Sequence, residues 1–286
     1  MAGENSLASG NSRKLLPRSM KRKRIKKTQV SALTRISFLP SVFTMLNLFL
    51  GYKALLHILG PKHNFKTAIY YITASVIMDG FDGTIARLTK TESNFGVQLD
   101  SLVDAVSFGL VTSILTFEWG FQGGYVQAGS IVAFVFLSAG LIRLARFNVY
   151  KEAQVMPANT FIGLPIPIAA LAVGSVVLAL DARHPQTGLG ILLFALYVIL
   201  ISLLMISNIH YRTVKKIVLK NSLKFLFLLA LIVACLIIFP DTTIPILTFC
   251  YLLSPIFFFL LRRIRKSAAV LPNSKTEVPQ ETKGGA

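Results

Sequence analysis

Eight apolar runs constrain this chain more than any other feature of its sequence. They fall near residues 37–58, 66–87, 98–120, 126–146, 160–180, 189–207, 223–240 and 244–261. Most reach the length of about twenty residues that a helix needs to cross the hydrocarbon core of a bilayer. The expected fold class is therefore all-α: a polytopic membrane helical bundle with about eight transmembrane helices. Composition agrees, because 53% hydrophobic residues against 15% charged is too apolar for an ordinary soluble domain.

Charge gives the expected orientation. Lys and Arg number 30 against 12 Asp and Glu, a net charge of +18, and they crowd into the two ends and one internal loop. With the basic N-terminal tail placed in the cytoplasm, the same side receives Arg87, Lys90, Arg143, Arg146, Lys151, the stretch "YRTVKKIVLKNSLK" and the closing "RRIRK". The opposite side receives only Lys62, Lys66 and Arg183. The positive-inside rule then puts both termini in the cytoplasm. Three regions follow: a basic tail over 1–34, disordered or lying on anionic lipid; a transmembrane domain over 35–266; and a polar, disordered tail over 267–286.

These features exclude other classes. No folded polar domain accompanies the basic runs, so nucleic acid is not the expected partner; membrane lipids are. Cys235 and Cys250 sit inside apolar runs without C-x-x-C spacing and indicate neither a disulfide framework nor a zinc site. The thirty or so polar residues at the start do not form the pattern of a cleavable signal peptide. Lys53, inside the first run, is expected to snorkel toward the interface.

Against this background the stretch "MDGFDGTIARLTKTESNFGVQLDSLVDAVSFG" is anomalous, for it carries four aspartates. On a helix Asp79, Asp82, Gly83 and Ala86 share one face, and so do Asp100 and Asp104 on the next. The short connection between the two spans brings the two pairs opposite one another near the inner boundary of the membrane. Even on the lenient insertion scale, one unpaired charge in a spanning helix costs about 2.5–3.5 kcal/mol. The quartet therefore needs bound cations or protons. Hard oxygen ligands without nearby Cys or His suit Mg²⁺ or Mn²⁺. Gly83 and Gly96 leave room for a ligand close to the helix backbone, and Arg87, one turn past Gly83, can pair with a phosphate.

The arrangement Asp79-x-x-Asp82-Gly83-x-x-Ala86-Arg87, eight residues, Gly96-x3-Asp100-x3-Asp104 resembles the complete signature of the CDP-alcohol phosphatidyltransferases. The resemblance implies transfer of a phosphatidyl group from a CDP-linked lipid to an alcohol, with release of CMP. It implies that Asp79, Asp82 and Asp100 hold two divalent ions, with Asp104 joining or neighbouring the second and acting as general base. Gly83, Ala86, Arg87 and Gly96 would line the nucleotide side. In the first span, Thr44 and Asn47 match positions expected to contact the nucleotide, whereas Ser41 follows Pro40 where the family often has Asn. A homodimer is also implied.

The acceptor is read from other stretches. "DSLVDAVSFG", "GLIRLARFNV" and "FIGLPIPIAA" are similar to segments of the family's serine-using, membrane-spanning members. L-serine is thus the expected acceptor and CDP-diacylglycerol the expected donor, in a prokaryotic cytoplasmic membrane with the site facing the cytoplasm. Arg143, Arg146 and Asn148 are candidates for holding the acceptor, since an arginine fork matches a carboxylate. The alternatives are the same reaction with glycerol 3-phosphate, inositol phosphate or another alcohol, an archaeal-type lipid donor, or a cation transporter using the aspartates as an ion path.

Overall fold

The computed structural model describes residues 38–88, 94–121, 123–153, 160–180, 183–185, 187–212 and 222–269. The basic tail 1–34, the loop carrying Lys90, most of the basic loop after Arg212 and the tail past Ala269 lie outside the described residues.

Among the described residues nine α-helices carry the fold: α1 Phe38–Leu59, α2 Phe65–Leu88, α3 Asn94–Asp104, α4 Val111–Gly120, α5 Val126–Glu152, α6 Ile166–Ala179, α7 Gly188–Ile206, α8 Ser222–Ile238 and α9 Pro240–Ala269. A π-helical turn, Ala105–Leu110, joins α3 to α4 without a break, and a short 3₁₀ turn, Gly123–Tyr125, leads into α5. The helices fall where the eight apolar runs lie. Four segments among the described residues are both long and apolar enough to cross a membrane: Val42–Leu59, Phe95–Gly120, Gly123–Glu152 and Gly188–Ile206.

The fifth run departs from expectation. Its first residues, Thr160–Ile162 (β1), pair antiparallel with His210–Arg212 (β2), with Phe161 opposite Tyr211. The helix that follows starts only at Ile166, behind Pro165, and spans 14 residues. At 1.5 Å per residue it is about 21 Å long, short of the roughly 30 Å hydrocarbon core. Its composition explains its place: Ala169, Ala170, Ala172, Val173 and Gly174 are all buried, and small side chains let neighbouring helices close in. A Cβ on Gly174 would stand 3.1 Å from Ile69 of α2. Thus α6 is the bundle's interior post, packed against α2, α7 and α9.

Around it the fully buried Trp119, Phe108, Phe136, Ile58, Ile69 and Leu115 make one continuous core. The opposite faces stay apolar outward; Phe49, Phe134 and Leu189 are among many large side chains exposed there. Faces of this extent suit lipid rather than water. Lys53, on α1, places its Nζ 6.0 Å from the centre of the Tyr71 ring on α2. At one end of the bundle Tyr70 of α2 donates to Asp241 of α9 at 2.5 Å, and Lys66 stands 3.6 Å from the same carboxylate.

One clasp closes the other end. The Arg146 guanidinium on α5 donates to the carbonyls of Ile206 (2.7 Å), Ser207 (3.1 Å), Met205 and Ile162 (both 3.3 Å), and to Asn208 Oδ1 (3.3 Å). These include carbonyls that α7 leaves open at its C-terminus. Gly163 threads through the clasp with φ +76°, and a Cβ there would collide with the Met205 carbonyl and stand 2.8 Å from Arg146 Nη2. Gly163→Ala is expected to cost at least about 2 kcal/mol, from the left-handed backbone and the overlap together. Thermal unfolding in detergent checks this; an unshifted midpoint contradicts it.

Candidate active site

Two helices supply the acids. Asp79 and Asp82 lie three residues apart on α2, and Asp100 and Asp104 four apart on α3. One carboxylate oxygen each from Asp79, Asp82 and Asp100 lies within 4.8 Å of the others. The Asp104 side chain neighbours that of Asp79 and so adjoins the cluster. The four expected acids are therefore one constellation. Asp82 and Asp104 are buried, the other two half-buried.

The π turn directly after Asp104 contributes to this placement. Val111 donates its N–H to the Val106 carbonyl, five residues back, which widens the turn. The following Ser107 then meets α1, its hydroxyl 3.4 Å from the Asn47 carbonyl, while Asp104 faces α2. Such insertions are frequent at functional sites. Gly51 of α1 is needed opposite the turn, since a Cβ there would sit 2.5 Å from Ser107 Oγ.

Supports surround the acids. Thr44 of α1 donates to Asp82 Oδ2 at 3.1 Å. Ser75 of α2 donates to the side-chain oxygen of Asn47 and, at 3.2 Å, to its carbonyl. Asn47 is thus engaged in holding α1 to α2, while its buried Nδ2 has no partner among the described residues. Asn148, at the end of α5, exchanges hydrogen bonds with Ser101 at 2.9 and 3.1 Å. The residue beside Asp100 is thereby tied to α5.

The expected acceptor residues separate in the structure. Arg146 spends its donors on the clasp. Arg143, one turn earlier, is buried and stands in electrostatic range of Asp104 and Asp79, with its Nε unpartnered among the described residues. Its guanidinium lies 5.5 Å from the centre of the Phe147 ring. Lys151 is in electrostatic range of Asp100.

On the side expected for the nucleotide, a Cβ built on Gly80 or Gly83 would meet nothing within 4 Å, so the space over that turn of α2 is open. Gly96 is half-buried near the start of α3. Ala86 and Arg87 belong to the last turn of α2, but their side chains lie outside the described residues.

The donor set fits divalent cations. It offers carboxylate oxygens only, three of them converging, and the buried Asp100 Oδ1 and Asp104 Oδ1 have no hydrogen-bond partner among the described residues. Orphaned buried carboxylate oxygens are costly unless a cation or proton meets them. Oxygen-only sites suit Mg²⁺ or Mn²⁺.

Comparison with known proteins decides the family. The family model for CDP-alcohol phosphatidyltransferase matches residues 37–206, more than half of the chain. The chain belongs to the CDP-alcohol phosphatidyltransferase family. It is 35% identical over 215 residues to a CDP-diacylglycerol–serine O-phosphatidyltransferase of Helicobacter pylori strain J99, covering 75% of this chain and 87% of the relative. The enzyme of the same name from H. pylori strain 26695 is 34% identical over 79% of this chain and 92% of its own. An archaetidylserine synthase of Methanothermobacter thermautotrophicus is 32% identical over 64% and 72%. Membership of this family, which generally uses divalent metals, together with the four membrane-capable helices, makes the protein an integral membrane protein.

Sequence reasoning did not single out Ser75, Ser101, Ser107 or Lys151. Ser101 follows Asp100 directly, but only the fold brings Asn148 opposite to it.

Proposed function

We propose that the protein is a phosphatidylserine-forming transferase: the serine hydroxyl oxygen bonds to the phosphorus carrying the diacylglycerol, and the bond from that phosphorus to the CMP oxygen breaks. The convergence of Asp79, Asp82 and Asp100 beside Asp104 carries this reading. The names of the H. pylori relatives support serine as acceptor and CDP-diacylglycerol as donor.

Asp79, Asp82 and Asp100 would hold two Mg²⁺ or Mn²⁺ ions, with Asp104 at the edge of the second. When bound, the ions supply positive charge against the diphosphate and the departing CMP oxygen. Asp104 takes the proton of the serine hydroxyl, a group too weakly acidic to attack unaided at neutral pH. Thr44 fixes the orientation of Asp82 through their hydrogen bond. Gly83, Ala86, Arg87 and Gly96 receive the nucleotide diphosphate, with Thr44 and Asn47 flanking it. Arg143 meets the serine carboxylate. Arg146 and Asn148 act indirectly, through the clasp and through Ser101.

The wider reading has a domain over 35–266 crossing a prokaryotic cytoplasmic membrane eight times, with both termini and the acidic end of the bundle toward the cytoplasm. There lipid enters sideways while serine and CMP use water. The protein acts as a homodimer, with the polar regions 1–34 and 267–286 as tails.

The test is CMP release by membranes carrying the protein, supplied with CDP-diacylglycerol and, in turn, serine, glycerol 3-phosphate and inositol phosphate. Serine alone is expected to release CMP and form phosphatidylserine; release with another alcohol instead would reassign the acceptor. A second test exploits the open space at Gly83. Gly83→Ala adds a Cβ that meets no described protein atom within 4 Å, so the folded yield is expected to hold while the KM for CDP-diacylglycerol rises at least about tenfold, the effect of a misfitted diphosphate. An unchanged KM would remove Gly83 from the nucleotide side.

A further inference from the structure

The end of the bundle away from the aspartates carries a cavity of about 760 Å³, with Trp119 in its wall. Asp104 and Trp119 are 15 positions apart in one unbroken helical segment and so stand about 22 Å apart along its axis. The cavity is therefore separate from the acidic site.

Unequal helices create it. Leu164, just before α6, donates its N–H to the Leu204 carbonyl near the end of α7 at 3.0 Å, which sets the two helices level at the clasp. From there α7 runs back over 19 residues and α6 forward over only 14, so α6 falls short by about 7 Å at the far end. Into that shortfall the last turn of α6 and the first turns of α7 present Val176, Leu180, Leu193 and Phe194, and the connection between the helices places Arg183 and His184 at its edge. Leu180 and Leu193 are 49% and 57% exposed, which opens the cavity to the lipid-facing surface.

Loose packing does not explain the space, because its walls are held by specific contacts. The Trp119 ring meets Phe194 edge to face with centroids 4.9 Å apart, and Gly120 makes the room for it, since a Cβ there would collide with the Phe194 ring. His184 Nδ1 lies 2.8 Å from the Trp119 carbonyl and, because a carbonyl only accepts, donates to it. At the inner end Tyr197 donates to the Ala172 carbonyl at 2.9 Å.

Protein interiors are close-packed, so an apolar hollow of this size within a bilayer is filled by what surrounds it, and hydrocarbon chains surround it. Gly190 to Tyr197 is about 10 Å of helix, most of the roughly 15 Å that the chains of one leaflet span. At the mouth Arg183 offers a planar guanidinium, which matches a phosphate with two parallel hydrogen bonds.

We infer that this cavity is a second lipid site: it takes an acyl chain of an anionic phospholipid whose phosphate lies against Arg183. The lipid completes the wall that the short α6 leaves out, whatever alcohol the acids at the other end serve.

Trp119 is the sole tryptophan of the chain, so its fluorescence reports an occupant directly. The full-length protein is reconstituted in phosphatidylcholine vesicles containing small fractions of phosphatidylglycerol with brominated chains, which quench tryptophan on contact. Quenching is expected to saturate at a low fraction of this lipid. The same quenching should need at least about threefold more of brominated phosphatidylcholine in the parent, or of brominated phosphatidylglycerol in Arg183→Gln, as loss of a partly exposed charged hydrogen bond requires. Ala179→Phe, which places a ring in the cavity, is expected to leave only quenching proportional to the brominated fraction. Proportional quenching in the parent, equal quenching by the two lipids, or an unchanged response in Arg183→Gln overturns the inference. So does a parent that neither lipid quenches, the mark of a cavity covered by a second copy. If Ala179→Phe folds poorly, Arg183→Gln, at an exposed position, carries the test.

Discussion

Asp104→Asn is expected to lower kcat by about 10²–10⁴-fold, the range that a positioned general base contributes, while the protein remains folded. The substitution is nearly isosteric, and an Asn amide can donate to a neighbouring carboxylate. What disappears is a carboxylate able to take the serine proton. Because the other three acids converge without Asp104, the KM for CDP-diacylglycerol is expected to stay within a few-fold of the parent. Single-turnover CMP release, read beside the melting temperature, measures both. Turnover at the parent rate would remove Asp104 as the base; a large rise in the liponucleotide KM would make it chiefly a metal ligand.

Removing the cations should have the largest effect. Chelation is expected to take CMP release to background, and added Mg²⁺ or Mn²⁺ to restore it. Asp79→Asn, Asp82→Asn and Asp100→Asn should each lower kcat/KM by at least about 10³-fold, since a metal centre provides several kcal/mol of charge stabilisation and each 1.36 kcal/mol is tenfold. Thr44→Val removes the hydrogen bond to Asp82 Oδ2 but no acid. Its expected effect is milder, about 10–100-fold in the divalent-ion concentration needed for half-maximal rate, and excess ion should recover it. Full activity of the Asp82 variant in chelator would contradict the assignment of these acids.

The helices and the acidic quartet were legible because each rests on a periodic or fixed-spacing signal. An apolar run of about twenty residues has few structural outlets, and aspartates three and four apart on two adjoining helices must share faces. What stood opposite those faces was not legible. Arg143 and Arg146 look equivalent at the end of one helix, yet one is buried with its Nε unpartnered among the described residues and the other closes the end of α7. The difference depends on where α7 ends, 60 residues later. Asn148 read as an acceptor ligand, but its partner Ser101 lies 47 residues away in a different helix. The fifth apolar run read as helix over 160–180; pairing of Thr160–Ile162 with His210–Arg212 took its first residues, and the helix begins only at Ile166, behind Pro165. Propensity alone does not foretell a π turn either, since α3 and α4 on both sides of it are ordinary helix.

Binding of Mn²⁺ to the purified full-length protein, followed by electron paramagnetic resonance with CDP-diacylglycerol present and serine absent, tests most directly whether the acids gather cations around a liponucleotide. About two ions per chain are expected in the parent, as a two-metal site requires, with the tight sites lost in the Asp79→Asn and Asp100→Asn variants. Equal Mn²⁺ binding by parent and variants would contradict the account.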